Sequence, residues 1–143
     1  MDHKFIDFCK AGNLNGIINL IDKNKINTHA NNEEGFRWAC ERGHKHIVEY
    51  LINLYKNNPI YTKINIHSEN EGGFKMACMF GHLHIVKYLI NLYKMNPNYA
   101  KIDIHMLTES GFNWVYYKGH KHIVKYLISL GCCSNIYKHT MHL

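Results

Sequence analysis

The sequence predicts an all-α solenoid in which helix–turn–helix units stack side by side. Three observations lead to this fold class. A phrase beginning with Gly-His occurs three times at equal intervals, as GHKHIVEYLI from Gly43, GHLHIVKYLI from Gly81 and GHKHIVKYLI from Gly119. Each copy has the apolar spacing of two helices. A polar, turn-rich run separates each copy from the next.

The first predicted helix of each copy carries small side chains. Around Gly43, the residues Phe36, Ala39, Cys40 and Gly43 follow the i, i+3, i+4, i+7 spacing of one helix face. Small residues on that face let neighbouring first helices approach closely. Three cysteines occupy the same place, three residues before a glycine, which favours small buried thiols over disulfides. They are Cys9, Cys40 and Cys78.

The second predicted helix is apolar over a wide arc. One face carries Ile47, Tyr50, Leu51 and Leu54, and the adjoining face carries Val48, Ile52 and Tyr55. This arc is too wide for a helix covered on one side only. It fits a helix placed between two neighbours, so each unit buries its apolar faces only by stacking on the next.

Polar runs connect the copies and set the predicted domain organisation. The runs INTHANNEEG from Ile26, INIHSENEGG from Ile64 and IDIHMLTESG from Ile102 predict loops or hairpin-like fingers. A degenerate earlier copy, KFIDFCKAGNLNGIINLID, starts at Lys4. We therefore expect one domain over residues 1–143. Its predicted units are a degenerate one at 1–31, two full ones at 32–69 and 70–107, and a last one with a tail at 108–143.

Composition narrows the function. The 143 residues are 46% hydrophobic, which is sufficient for a sizeable core, and the formal net charge is +6. This charge fits an acidic partner, a membrane surface or simple solubility. The sequence begins without an apolar signal segment and contains no stretch near the about 18 apolar residues of a membrane span. It therefore predicts a cytoplasmic protein that is not secreted. No hydrolase, P-loop, zinc-protease or EF-hand motif occurs, so neither an enzyme nor a cofactor is predicted.

These copies resemble the ankyrin repeat, whose consensus is roughly D-x-x-G-x-T-P-L-H-x-A-A-x-x-G-H-x-x-V-V-x-x-L-L. The matching positions recur in register in three copies. They are Ala39, Gly43, His44, Ile47, Val48, Leu51 and Ile52; then Ala77, Gly81, His82, Ile85, Val86, Leu89 and Ile90; then Gly119, His120, Ile123, Val124, Leu127 and Ile128. The resemblance implies a non-catalytic scaffold or adaptor that binds a protein.

The copies depart from the family pattern in three places. The T-P-L-H box becomes EGFR, GGFK and SGFN. The glycine of the finger turn becomes Asn32, Asn70 and Thr108. Since Asn tolerates a positive φ and a β-branched Thr does not, the last finger fits the family turn least well.

The third departure is length, because the units exceed the usual period of about 33 residues. Tyr55 and Tyr93 replace the glycine that ends the second helix. We therefore expect that helix to continue toward Pro59 and Pro97, with longer return loops at 56–63 and 94–101. Such Asn- and Lys-rich units resemble the ankyrin proteins of large DNA viruses, which implies the host cytoplasm.

Histidines recur in register with the glycines. The resemblance implies that the histidine after each glycine helps tie a helix start to the adjoining turn by hydrogen bonding. The structural pairs are Gly43 and His44, Gly81 and His82, and Gly119 and His120. The histidines two residues later, such as His46, are expected to face solvent. Residues i and i+2 point about 200° apart on a helix, so no metal site is predicted.

The resemblance also implies a concave binding face formed by the fingers and the first helices. We expect an apolar patch where the third and fourth units meet, consisting of Met79, Phe80, Met106, Leu107 and Tyr117. Glu71 and Glu109 edge this patch, and Arg42 and Lys118 lie on the same face. Aromatic and methionine side chains of this kind suit a contact with a host or viral protein. In the alternative interpretation, Phe80 and Leu107 pack locally and the patch is smaller.

Two further alternatives stay open. Lysines on the second helices and around the longer loops predict a basic convex side that binds nucleic acid or an anionic surface. They are Lys45, Lys87, Lys121 and Lys125, with Lys56, Lys63, Lys94 and Lys101. At the other end of the array, the tail either folds back as a cap or leaves the last repeat to self-associate.

Overall fold

A computed structural model describes residues 2–23 and 26–132. Eight α-helices in this part of the chain form four consecutive pairs, which confirms the all-α prediction. They are α1 (Asp2–Ala11) and α2 (Leu14–Lys23), α3 (Ala30–Arg42) and α4 (Lys45–Asn57), α5 (Ser68–Met79) and α6 (Leu83–Met95), and α7 (Glu109–Tyr117) and α8 (Lys121–Ser129). A short 3-10 helix, Ile104–Met106, precedes α7.

The pairs stack into a solenoid. The first helices pack in a row, in which α3 contacts α1 and α5, and α5 contacts α7. On the other side, α6 contacts α4 and α8. Each first helix buries one aromatic anchor, namely Phe5, Phe36, Phe74 and Phe112. The small side chains of Ala39, Cys40, Ala77 and Cys78 are fully buried, so the predicted close approach of the first helices is observed.

The Gly-His phrase ends the first helices α3, α5 and α7. Gly43 takes φ 79°, and the backbone N–H of His44 donates to the Ala39 carbonyl at 2.9 Å. The same pair of features recurs at Gly81, with φ 85°, where the N–H of His82 donates to the Ala77 carbonyl. This is the Schellman arrangement, which needs a left-handed residue and so favours glycine.

The histidine side chain joins two units instead of capping its own helix. His44 and His82 precede α4 and α6, yet neither side chain bonds to its helix start. Their Nε2 atoms donate to carbonyls of the preceding unit, that of Lys10 at 3.1 Å and that of Glu41 at 2.7 Å. The expected hydrogen bond from the histidine at a helix start is present, but its acceptor is the carbonyl at the end of the previous first helix.

Each imidazole also lies against the glycine of the preceding unit. A Cβ added at Gly43 would lie 2.6 Å from Cε1 of His82, and one added at Gly81 would lie 2.5 Å from Cε1 of His120. Burial lowers the pKa of His82, with a further lowering from the neighbouring histidines. A neutral ring with its hydrogen on Nε2 satisfies the carbonyl acceptor. The glycine therefore serves two purposes, a left-handed turn and room for the next unit.

The fingers are left-handed turns, not β-hairpins, and no strand occurs in residues 2–23 and 26–132. Asn31, Asn32 and Glu33 take φ values of 55°, 56° and 63°, and residues 69–71 repeat them at 60°, 54° and 62°. Such a run costs backbone energy in L-residues, with Asn the best tolerated. Arg37 offsets this cost in the first run, since it donates to the carbonyls of Asn31 and Asn32.

A buried glutamate at the end of each left-handed turn connects consecutive units. Glu33 Oε1 accepts from His29 Nδ1 at 2.6 Å, while Oε2 accepts from the N–H of Asn65 in the next unit at 3.2 Å. Glu71 repeats the pattern one unit later, with His67 at 2.6 Å and the N–H of Asp103 at 2.5 Å. Burial raises the pKa of Glu33, against the lowering effect of His29.

The last finger differs from the others, as the Thr108 substitution indicated. Thr108 takes φ −63° and ψ 172°, an extended conformation suited to a β-branched residue. Leu107, at the start of the segment equivalent to 69–71, is extended as well, with φ −77° and ψ 96°, so the left-handed run is absent and α7 begins at Glu109. The hydrogen bond from the N–H of His105 to Asp103 Oδ1, at 3.0 Å, keeps only the first part of the finger.

The predicted extension of the second helices is confirmed. Helices α4 and α6 end at Asn57 and Met95, and the residues that follow, Asn58 and Asn96, are extended, as expected before proline. The return loop predicted at 94–101 begins after Met95, and buried Tyr99 anchors it because its hydroxyl donates to the Ile52 carbonyl at 2.6 Å. Burial raises the pKa of Tyr99 accordingly.

Two predictions on the organisation of the chain stay as they were. The unit boundaries at residues 32, 70 and 108 lie within the finger segments and remain a prediction. The cap formed by the tail concerns residues 133–143, which lie outside the described residues.

Comparison of two equivalent fingers identifies a missing hydrogen bond. His29 Nε2 bonds to Thr62 Oγ1 at 2.8 Å, but His67 Nε2 is buried with no partner in the described part of the chain. The residue equivalent to Thr62 in the next unit is Ala100.

We predict that Ala100→Thr stabilises the array by about 1 kcal/mol, because the new hydroxyl supplies the partner that His67 lacks. Urea unfolding measures the change. The control is Ala100→Thr combined with His67→Ala, in which the gain should vanish. An equal gain in the free energy of unfolding with and without His67 would show that the new hydroxyl does not bond to His67.

Candidate functional site

The exposed side of the first helices is the surface that matches the implied concave face. We call it the first-helix face. It is formed by Trp38, Glu41 and Arg42 of α3, by Met76, Met79 and Phe80 in and after α5, and by Trp114, Tyr117 and Lys118 in and after α7. Residues i, i+3 and i+4 share one side of a helix, so each set forms one cluster. Successive sets are one repeat apart in the sequence and therefore occupy equivalent positions.

Sequence reasoning missed one member of each cluster. Trp38, Met76 and Trp114 are equivalent residues on α3, α5 and α7, and these helices are neighbours in the row. Their large apolar side chains thus follow the direction of stacking. The sequence pattern could have predicted this set, because two tryptophans and a methionine occupy the same position in three copies, directly after the Phe-x pair.

The aromatic residues toward the end of the array are strongly exposed. The exposed fraction is 49% for Phe80, 45% for Trp114 and 80% for Tyr117. Exposed aromatic residues on adjacent helices are unusual for a surface that contacts only water. Their aromatic area is therefore available to a partner.

A groove of about 200 Å³ lies between α3 and α5 at the other end of this face. Trp38 forms one wall, with Glu34 and Glu41 beside it and Met76 opposite. The indole Nε1 donates to Glu34 Oε2 at 3.0 Å, which holds the ring in place. The ammonium of Lys10 lies 4.3 Å from the ring centre, which is a cation–π contact.

Charged side chains surround the aromatic residues. The guanidinium of Arg42 lies 5.2 Å from the Trp38 ring, and the ammonium of Lys118 lies 4.6 Å from the Trp114 ring. Both cations are exposed, so these contacts orient the rings without removing them from the surface. The result is an apolar row with a charged rim, the usual composition of a protein contact surface.

The structure keeps most of the predicted binding residues on the surface. Arg42, Phe80, Glu109, Tyr117 and Lys118 are exposed. Met79 and Met106 are half-buried, so each presents part of its side chain.

Two predicted binding residues are not part of this surface. Leu107 is buried, because the extended last finger turns its side chain onto Gly111, where an added Cβ would lie 2.8 Å from Leu107 Cδ1. Glu71 is buried as well, because both of its oxygens are used by His67 and by the Asp103 N–H. The patch is therefore smaller than predicted at Leu107, whereas Phe80 stays exposed.

The described histidines and cysteines do not form a metal or nucleophile site within residues 2–23 and 26–132. His46, His84 and His122 are exposed, and no group of three His, Cys, Asp or Glu residues in the described ranges is placed to hold a metal ion. Burial raises the pKa of Cys9 to about 12 and also raises the pKa of Cys40 and Cys78. These thiols stay protonated, which opposes a nucleophilic role.

Stacked helix pairs with an exposed row on the first helices define a helical repeat protein. A family model described as ankyrin repeats, with three copies, matches residues 5–100. The chain belongs to the ankyrin-repeat family, whose members are generally protein–protein interaction modules and are typically non-catalytic. No helix among residues 2–23 and 26–132 has both the length and the hydropathy to cross a membrane.

Curated relatives match a shorter stretch. Acyl-CoA-binding domain-containing protein 6 of Rattus norvegicus and that of Homo sapiens are each 33% identical to this chain over 54 residues. The protein of the same name from Bos taurus is also 33% identical over 54 residues. These matches cover 36% of this chain and 19% of the relatives, so the similarity spans about a fifth of their length.

The buried position of Glu71 generates a prediction. Glu71→Ala should lower the free energy of unfolding by about 2 kcal/mol, because it removes a charged acceptor from His67 and from the Asp103 N–H. Both side chains have a Cβ, so the cost of the positive φ is unchanged. The matched control is Glu109→Ala at the equivalent exposed position, which should cost less than about 1 kcal/mol. Equal losses in urea unfolding would show that Glu71 does not connect the units.

Proposed function

We propose that this protein is a non-catalytic adaptor that binds a protein partner through the first-helix face. The observation that carries the proposal is the joint exposure of Phe80, directly after α5, and of Trp114 and Tyr117 on the neighbouring α7. Large aromatic side chains dominate the affinity of protein contacts when a partner removes them from water. The rigid stack keeps these rings in place before binding, which lowers the entropic cost of association.

The spacing of the row indicates the shape of a suitable partner. Packed helices lie about 8–10 Å apart, so Trp38, Met76 and Trp114 extend over about 20 Å. An α-helix rises about 1.5 Å per residue, so side chains seven residues apart on a partner helix have nearly the same spacing. An amphipathic helix with apolar residues at i, i+7 and i+14 along the stacking direction would meet all three units. Charged residues beside that stripe would meet the rim formed by Arg42 and Lys118.

The proposal extends to origin and compartment. The long, Asn- and Lys-rich units support an assignment to the ankyrin proteins of large DNA viruses, acting on a host or viral protein in the host cytoplasm. Self-association through the last unit is the second kind of partner. It is supported by the partly exposed side chains of Tyr116 and Ile128 at the end of the array.

The test is a selection of helical peptides from a displayed library on the immobilised protein, followed by titration of the selected ligand. Phe80→Ser/Tyr117→Ser should weaken binding at least tenfold, because each side chain loses its buried contact with the ligand. Circular dichroism and the melting temperature check that the fold is intact.

The matched control is Ile60→Ser/Met95→Ser. These residues are 59% and 65% exposed and lie outside the first-helix face, so binding should be unchanged. An equal loss in both variants, or no loss in the first, would exclude this face as the binding site.

A further inference from the structure

The net charge of the chain is confined to its second half. Residues 1–71 contain nine Lys or Arg and nine Asp or Glu. Residues 72–143 contain eight lysines, and their only acidic residues are Asp103 and Glu109. The formal charge of +6 therefore belongs to one end of the array, not to the whole protein.

Five of these lysines lie on the neighbouring helices α6 and α8 or in the segment after α6. Lys87 and Lys94 lie seven residues apart on α6, and Lys121 and Lys125 lie four apart on α8, which packs beside α6. Lys101 lies in the segment that follows α6. All five are exposed, and none forms an ion pair within residues 2–23 and 26–132. We call this surface the α6–α8 face.

Tyrosine rings lie beside three of these lysines. The Lys87 ammonium lies 5.3 Å from the ring centre of Tyr126 on α8. Lys94 and Lys101 both approach the ring of Tyr93, at 5.9 and 5.6 Å. Two ammonium groups thus approach one ring, and neither forms an ion pair in the described part of the chain. Residues 133–143 contain no Asp or Glu that could supply one. An anion between the two lysines would relieve their mutual repulsion.

The same surface contains an apolar pocket of about 100 Å³. Its lining includes Ile90, Tyr93, Ile104 and Leu130, together with Lys94 and Lys101. Leu130 is 43% exposed, and Met95, the last residue of α6, is also strongly exposed. Leu130 therefore lines the same pocket as Lys94, Lys101 and Tyr93, and Met95 directly follows Lys94 in the chain.

The combination of lysines with exposed apolar side chains favours one kind of anionic partner over another, an anionic bilayer over duplex nucleic acid. The outer surface of duplex nucleic acid is made of phosphates and ordered water, and its apolar groups lie at the base edges inside the grooves, so it offers little apolar contact to residues beside a lysine cluster. An anionic bilayer offers both parts, because acyl chains lie directly below the headgroup phosphates. Lysine ammonium groups can contact the phosphates while their methylene stems lie along the acyl chains. Tyrosine, with an apolar ring and a polar hydroxyl, suits the boundary between the headgroups and the acyl chains.

We propose that the α6–α8 face binds the surface of an anionic phospholipid bilayer, with Lys94 and Lys101 at the headgroups and Met95 and Leu130 in the outer acyl region. This second activity is independent of the first-helix face, which belongs to the other helices of each unit. A partner on that face would then be held at a membrane.

The test is co-sedimentation of the full chain with vesicles of phosphatidylcholine that contain about one-third phosphatidylserine. Each lysine near the headgroups adds roughly fivefold to affinity, so Lys94→Glu/Lys101→Glu should reduce binding at least about 25-fold. Binding should also fall as salt rises. Met95→Ser/Leu130→Ser should weaken binding at fixed charge, which a purely electrostatic contact would not show. If the first variant fails to fold, Lys87→Glu/Lys125→Glu replaces it.

The matched control is Lys23→Glu/Lys56→Glu, which reverses two exposed lysines in the last turns of α2 and α4. It changes the net charge equally and should retain most of the binding. The proposal is overturned by equal losses in the two charge variants, by absent binding to phosphatidylserine vesicles, or by unchanged binding of Met95→Ser/Leu130→Ser. Tighter binding to random duplex DNA than to the vesicles at the same salt would also overturn it and assign the surface to nucleic acid.

Discussion

The contact between a glycine and the histidine of the following unit is the constraint on which the array depends. The glycine ends a first helix in a left-handed turn, and the absent Cβ leaves room for the next imidazole. At Gly43 the room is occupied by His82, whose Nε2 also donates to the carbonyl of Glu41. One position thus sets both the end of a helix and the distance to its neighbour. Because the contact repeats at the period of the sequence, the unit spacing repeats as well.

A second set of bonds fixes the fingers relative to each other. Glu33 and Glu71 each accept one bond from their own unit and one from the next, which makes the left-handed turns part of the stack. The last finger has no following unit in the described chain to supply an N–H, and Glu109 is exposed there. The glycine–histidine contacts and the glutamate hydrogen bonds together hold α3, α5 and α7 side by side. The row of Trp38, Met76 and Trp114 is a consequence of that order.

The repeat, the helix pairs, the buried cysteines and the longer second helices could be predicted from the sequence. Each of them follows from a periodic pattern or from the stereochemistry of particular residues. The acceptor of the histidine hydrogen bond could not be predicted, since spacing along one chain does not reveal a bond to the preceding unit. The same limit applies to Glu71, which has the composition of a surface residue but is buried by two specific partners. Leu107 turned inward because Thr108 excludes the left-handed turn. Trp38 and Trp114 were overlooked although their spacing was visible.

The most direct test of the contact between Gly43 and His82 is a double-mutant cycle on Gly43→Ala and His82→Ala, measured by urea unfolding. Alone, Gly43→Ala combines the strain of a positive φ with displacement of the imidazole; without the ring, only the φ cost of about 1 kcal/mol remains. Gly119→Ala gives that φ cost separately, since an added Cβ there meets nothing within 4 Å in the described chain. We expect a coupling free energy above about 1 kcal/mol between the two sites. If the effects of the two single substitutions on the free energy of unfolding add within about 0.3 kcal/mol, the glycine–histidine contact does not stabilise the array at this position.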